Sequence, residues 1–313
     1  MGLKGSWWLG VTLGFSFTLG FLVAPGCGRA SALAPQPAAA PATQHGSAAA
    51  SAAPKDTSPH RVQFVTVAPD VNVEVLDWGG SGAPVVFLSG LGDVAHVFDD
   101  FAPALTDRFH VYGITRRGFG ASSQPPTGYD IATRGEDLRR ALDALHLDRV
   151  SLVGHSIAGD ELTWFAGAYP ARVERLVYLD AAFDHSHLIP LKSLPWPFPG
   201  PVPPPFWPIV DGCGHPDYAK VQAPGLAVYA IMPSIESFFP PEAWAAADAA
   251  AQAKMRMTLE ALQPMFASRV DFAKTPHGRT LDVPQATHYL FITNREVVLR
   301  HTRAFLSEGQ TVR

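Results

Sequence analysis

From Arg61 onward, short runs rich in β-branched and aromatic residues alternate with longer stretches whose apolar residues recur at helical spacing. RVQFVTV and NVEVLDW alternate apolar and polar positions. A period of two marks strands with one wet face, and these two runs predict an antiparallel pair. PVVFLSG, FHVYGIT, VSLVG and RLVYLDA are unbroken apolar runs instead, as parallel strands are when helices cover both faces. Helical spacing fills the intervals at 97–106, 132–146 and 157–169. Strands alternating with helices predict a mostly parallel α/β sheet. APGLAVYAI and RTLDV read as a seventh and an eighth strand, and Glu296 to Leu306 as a closing amphipathic helix.

Two segments break the alternation. Pro190 to Pro208 carries nine prolines in nineteen residues, interleaved with Trp196, Phe198, Phe206 and Trp207. So many missing N–H donors and fixed φ angles exclude a regular helix or a central strand. Lying between the sixth and seventh strands, this stretch reads as part of a cap, at about 184–222, that sets aromatic rings over a pocket; the alternative is a polyproline-like surface strap. The second segment, from Pro240 to about Val270, is Ala-rich, with Met255, Leu259, Leu262 and Phe266 at helical spacing as packing residues.

The first sixty residues follow neither pattern. No charge occurs between Lys4 and Arg29, and Trp7 to Ala24 is an apolar stretch of eighteen residues, which predicts an export signal over 1–27. Ala30-Ser31-Ala32 fits a cleavage site for a secreted form. Ala24-Pro25-Gly26-Cys27 fits a lipoprotein box with an acylated Cys27, and an uncleaved membrane anchor is the third reading. Residues 28–60 are Ala- and Pro-rich and cannot offset the entropy of ordering, so they read as a linker ahead of a domain at 61–313. The expected location is therefore periplasmic, cell-surface or secreted, with an N-terminal membrane tether possible.

Composition then narrows the functional classes. Of 313 residues, 17% are charged and only two are cysteine, which excludes wholesale disorder and a disulfide scaffold. A net charge of −4 without a basic run gives no footprint for nucleic acid. No cofactor is expected. His185, His187, Cys213 and His215 lie close in sequence, but their spacing matches no common metal site, so none is assigned.

Candidate chemistry concentrates in VSLVGHSIAGDEL, where Gly154-His155-Ser156-Ile157-Ala158 follows an apolar run and opens a helical one. Small residues flanking Ser156 suit a strained strand-to-helix turn that presents a nucleophile. A serine hydroxyl needs a histidine base, and the base needs an acid to fix its tautomer. His288, just past the eighth strand, is the candidate base. Chain order puts the acid after the sixth or seventh strand: Asp180 is favoured, with Glu236 and Asp184 as alternatives. The backbone N–H groups of Leu91, in the turn after the third strand, and Ile157 are the expected donors to a developing oxyanion.

GLGDVAHVFDDFAPAL, YGITRRGFGASS, GHSIAGDEL and the histidine of ATHYLF together resemble the α/β-hydrolase superfamily, in its single-domain esterase- and peptidase-like members. The resemblance is dense from Pro84 to Phe183 and resumes around the seventh strand and His288. It implies Ser156 as nucleophile, His288 as base, and Leu91 and Ile157 as oxyanion donors. The chain departs from the common pattern in lacking an Asp after the seventh strand, while some relatives carry the acid after the sixth, where Asp180 falls. The implied activity is hydrolysis of a small, hydrophobic carboxylic ester through an acyl-enzyme. The alternatives are an aminopeptidase-type or other cofactor-free activity, or a catalytically inactive exported binding protein.

Overall fold

The structure, a computed structural model, describes residues 59–197, 202, 205–239 and 241–309. The expected export signal at 1–27, nearly all of the linker and Phe198 lie outside them.

Eight strands form one sheet: β1 (Arg61–Ala68), β2 (Val71–Gly79), β3 (Ala83–Leu88), β4 (Phe109–Thr115), β5 (Val150–His155), β6 (Val173–Leu179), β7 (Gly225–Ile231) and β8 (Gly278–Pro284). Their order is β1-β2-β4-β3-β5-β6-β7-β8. β1 pairs antiparallel with β2, and β2 with β4; every pairing from β4 across to β8 is parallel. The helices are α1 (Ile131–Ala144), α2 (Ala158–Ala168), α3 (Phe206–Asp211), α4 (Pro241–Ala246), α5 (Ala249–Ala261), α6 (Gln263–Ala267), α7 (Arg269–Ala273), α8 (Leu290–Thr293) and α9 (Arg295–Ser307).

The apolar runs become central strands because alternate side chains serve opposite faces. Val86, Leu152 and Tyr178 join Leu138 and Leu162, from α1 and α2, in one core. Val85, Phe87, Val153 and Val177 join Phe98, Phe101, Leu299 and Phe305 in the other. Met255, Leu259 and Leu262 are buried in the first core and Phe266 rests against it, so the Ala-rich segment supplies packing.

Two expectations are revised. The single helix expected at 97–106 is two short 3-10 turns, Ala95–Phe98 and Ala102–Leu105. Pro103 lacks the N–H that a continuous helix would use there, and it opens the second turn instead. β2 also lacks the wet face that alternation implied. Its Glu74 and Asp77 are buried, satisfied by the Thr115 hydroxyl and by His110 and Arg61 respectively.

In the Pro-rich region, the rings of Trp196, Phe206 and Trp207 pack edge-on against one another. α3 buries Ile209 and Val210 completely, and Ile131 N–H donates to Gly212 O, which anchors the region to the start of α1. Among the described residues no helix is long and apolar enough to cross a membrane.

Candidate active site

From β3 the chain steps to β4 on one side, then returns through α1 to β5 on the other side of β3. The C-terminal ends of β3 and β5 therefore lie side by side, with Leu88 in register with Gly154. Crevices for ligands form at such switch points, beyond the carboxyl ends of the strands. Two turns meet here: Ser89 to Gly92 after β3, and Ser156 after β5.

Ser156 has φ +54°, a left-handed conformation that is strained for any residue but glycine. Its surroundings hold it there. Ser156 N–H donates to Leu179 O, and Gly159 N–H donates to Ser156 O. A Cβ on Gly154 would come within 2.8 Å of Leu162, and one on Gly159 within 1.9 Å of Ala181 O. Gly159, one place past the usual end of the Gly-x-Ser-x-Gly pattern, is thus the residue that lets α2 lie against the chain leaving β6, and Ala158 is accommodated.

That exit carries Asp180, which is 1% exposed. Its Oδ1 accepts from Ala230 N–H at 3.0 Å, and its Oδ2 lies 2.7 Å from His288 Nδ1. The carboxylate is therefore held by β7 on one oxygen and faces the histidine with the other. His288 is stacked on Phe238, with ring centroids 4.9 Å apart and planes 29° off parallel. The other two acid candidates lie elsewhere. Asp184 accepts from Ser186 and pairs with His215, and Glu236 sits 3.6 Å from Arg256. No hydrogen bond joins Ser156 Oγ to His288 in this structure.

Neither Leu91 N–H nor Ile157 N–H donates a hydrogen bond among the described residues. Ile157 is the N-cap of α2 and has no side-chain cap, so the positive end of the helix faces the same space. The Leu91 and Ile157 side chains pack with Phe119, Tyr129 and Ile209 in one apolar cluster, to which α3 contributes Ile209.

Sequence reasoning missed the supports. Arg116, after β4, is buried and grips Glu161 of α2 with two bonds, Nε to Oε1 at 2.7 Å and Nη2 to Oε2 at 2.6 Å. The same guanidinium donates to Ser89 O at 2.9 Å and Gly90 O at 3.2 Å. One side chain thereby ties the helix that follows Ser156 to the turn that carries Leu91. The only sequence signal was the paired arginine of TRRGFG.

A second support surrounds His155. Its Nε2 lies 3.1 Å from His288 O, which assigns the proton to Nε2, and burial together with the nearby His288 pushes its pKa well below the ordinary histidine value. The remaining nitrogen, Nδ1, is buried without a hydrogen-bond partner and lies 3.8 Å from Asp93 Oδ2. Asp93 also accepts from the Tyr289 hydroxyl at 3.2 Å. Burial pushes its pKa from 3.8 up to about 6. Between those values the native state retains a proton that the unfolded chain has released, so Asp93 erodes stability as pH rises through that window. Asp93→Asn is expected to raise stability by about 2–3 kcal/mol above about pH 6 and to have little effect near pH 4, by the conversion of 1.36 kcal/mol per pKa unit. Thermal unfolding at the two pH values checks this. An equal shift at both would show that the charge is not the cause.

His185, His187, Cys213 and His215 do not converge on one point. His185 Nδ1 pairs with buried Asp160 at 2.7 Å, Cys213 donates to Ile209 O, and His215 pairs with Asp184. A cavity of about 300 Å³ lined by Asp160, Thr163, Trp164 and His215 runs along α2 and includes none of Ser156, Asp180 and His288.

Residues 83–206 match the sequence model of the α/β hydrolase fold. A non-heme chloroperoxidase of Streptomyces lividans is 36% identical over 120 residues, 37% of this chain and 44% of that protein. The chain spans less than half the length of the curated relatives it matches. Among solved structures, an esterase from Exiguobacterium antarcticum superposes with a TM-score of 0.59 at 17% identity, over 79% of this chain and all of that one. E-2-(acetamidomethylene)succinate hydrolase superposes with a TM-score of 0.58 at 21% identity, over 79% of this chain and 99% of that one.

Proposed function

Since the chain belongs to the α/β-hydrolase superfamily, we propose that it is a serine hydrolase that cleaves uncharged carboxylic esters through an acyl-enzyme. One observation carries the reading: a serine held at φ +54° between a strand and a helix, beside a buried Asp180–His288 pair at 2.7 Å. In the proposed reaction Ser156 Oγ attacks the acyl carbon and His288 Nε2 takes its proton. Asp180 keeps the other ring proton on Nδ1 and offsets the imidazolium charge. The Leu91 and Ile157 amides receive the tetrahedral oxygen. Collapse expels the alcohol with the proton from His288, and a water molecule then repeats the sequence on the acyl-enzyme.

The proposed substrate class follows from Phe119, Ile157, Ile209 and Leu91 around those amides and from Phe238 on His288. Apolar walls favour an apolar acyl or alcohol group. For p-nitrophenyl esters of increasing acyl length, kcat/KM should rise about 4-fold per methylene until the pocket is full, the equivalent of about 0.8 kcal/mol per buried CH2. A preference for charged acyl groups would contradict the substrate class. Absence of turnover on every ester would favour an inactive binding protein on the same fold. The proposed location outside the cytoplasm rests on residues 1–27 alone, and the mass of the mature N-terminus tests it: an intact Met1 would count against export with cleavage.

A further inference from the structure

Outside the triad, three side chains converge with the spacing of metal ligands: His60, His96 and Asp99, whose candidate donor atoms all lie within 4.8 Å of one another. His60 immediately precedes β1, His96 lies in the 3-10 turn Ala95–Phe98, and Asp99 closes that turn. His96 Nδ1 is 3.0 Å from Asp99 Oδ2, and His60 Nδ1 is 3.5 Å from Asp99 Oδ1. Two donors on one tetrahedral ion, each bonded at 2.0–2.1 Å, stand about 3.3 Å apart, a value between these two distances. The two imidazole rings meet edge to face, with centroids 5.0 Å apart.

The surroundings supply the outer partners that metal-bound side chains need. His96 turns its other nitrogen, Nε2, toward Glu74 Oε1 at 3.8 Å, and Glu74 is itself fixed by the Thr115 hydroxyl at 2.7 Å. Trp78 Nε1–H donates to Asp99 Oδ1 at 2.9 Å. A carboxylate behind a histidine and a donor on a ligating carboxylate are the arrangement that orients ligands in built sites. The His60 side chain is 3% exposed and that of Asp99 20%, whereas His96, at 31%, leaves a way in from solvent.

We propose that His60, His96 and Asp99 bind one divalent transition-metal ion of the zinc class, with a fourth position taken by water. Two imidazoles and one carboxylate suit zinc and its neighbours, whereas magnesium and calcium prefer oxygen ligands throughout. The ion would fasten the residue before β1 to the segment that follows the Ser89 to Gly92 turn. Its role is therefore structural, and it would stabilise the native state in proportion to its concentration.

The test is a titration of metal-stripped full-length protein with Zn²⁺ against a chromophoric chelator at mildly alkaline pH, with thermal unfolding followed in parallel. One equivalent should bind, and Tm should rise as Zn²⁺ is added. His60→Gln and His96→Gln should each weaken binding by roughly 100-fold or more, and Glu74→Gln by roughly 10–100-fold, as for other outer partners of metal-bound histidines. His215→Ala, on the cap, should bind as the wild type does. No uptake by folded wild-type protein would overturn the proposal. So would wild-type affinity in His60→Gln, which leaves every strand residue intact, or loss of binding in His215→Ala alone.

Discussion

Ser156→Ala is expected to lower turnover of p-nitrophenyl esters by roughly 10⁴- to 10⁶-fold, the cost of losing a nucleophile in triads of this kind, with little change in fold. Ser156 is half-buried on a turn whose shape is set by backbone contacts to Leu179 and Gly159 rather than by its hydroxyl. Alanine keeps the backbone but also its strain. Ser156→Gly should be as inactive and yet more stable than the wild type by about 1 kcal/mol, because glycine accepts φ +54° without penalty. Rates from ester assays and midpoints from urea unfolding would separate the two effects. If Ser156→Ala retained more than a tenth of wild-type turnover, another group would have to be the nucleophile.

Asp180→Asn is expected to cost about 10⁴-fold in kcat by reversing the histidine tautomer. The direction follows from the two bonds on the carboxylate. Ala230 N–H donates to Oδ1, so the asparagine oxygen is retained there and its NH2 group turns to His288 Nδ1. Nδ1 must then accept, the ring proton moves to Nε2, and Nε2 can no longer take the serine proton in the proposed reaction. Glu236→Gln and Asp184→Asn should change kcat by less than about 3-fold, since neither carboxylate meets His288; Glu236 faces Arg256, and Asp184 faces Ser186 and His215. Near-wild-type kcat in Asp180→Asn would remove this residue from the reaction.

Ser156 was readable because its signal is local: an apolar strand, small residues and a helix start within nine positions. Asp180 was readable only as one of three carboxylates. What singles it out is the register of β6 with β7, which sets its Oδ1 on Ala230 N–H, and no short stretch of sequence encodes a pairing between strands fifty residues apart. The same reason hid Arg116. Its partners, Glu161 and the carbonyls of Ser89 and Gly90, come from two other elements. Phe238 on His288, and Asp93 with Tyr289, are likewise products of tertiary assembly.

The revised elements have local causes. Pro103 divides what periodicity joined at 97–106, and hydrogen-bond partners from β4 satisfy the polar side chains of β2 that alternation would turn to solvent. The Gly-x-Ser-x-Gly pattern was informative even in departure, since the close approach that usually requires its last glycine falls here on Gly159.

In the proposed reaction Ser156 forms a covalent acyl-enzyme with His288 as its base. The most direct measurement is intact-mass analysis after treatment with a fluorophosphonate, followed by peptide mapping. One adduct per chain is expected, on the peptide containing Ser156, absent in Ser156→Ala and strongly slowed in Asp180→Asn. An adduct on another residue, or none on folded wild-type protein, would contradict it.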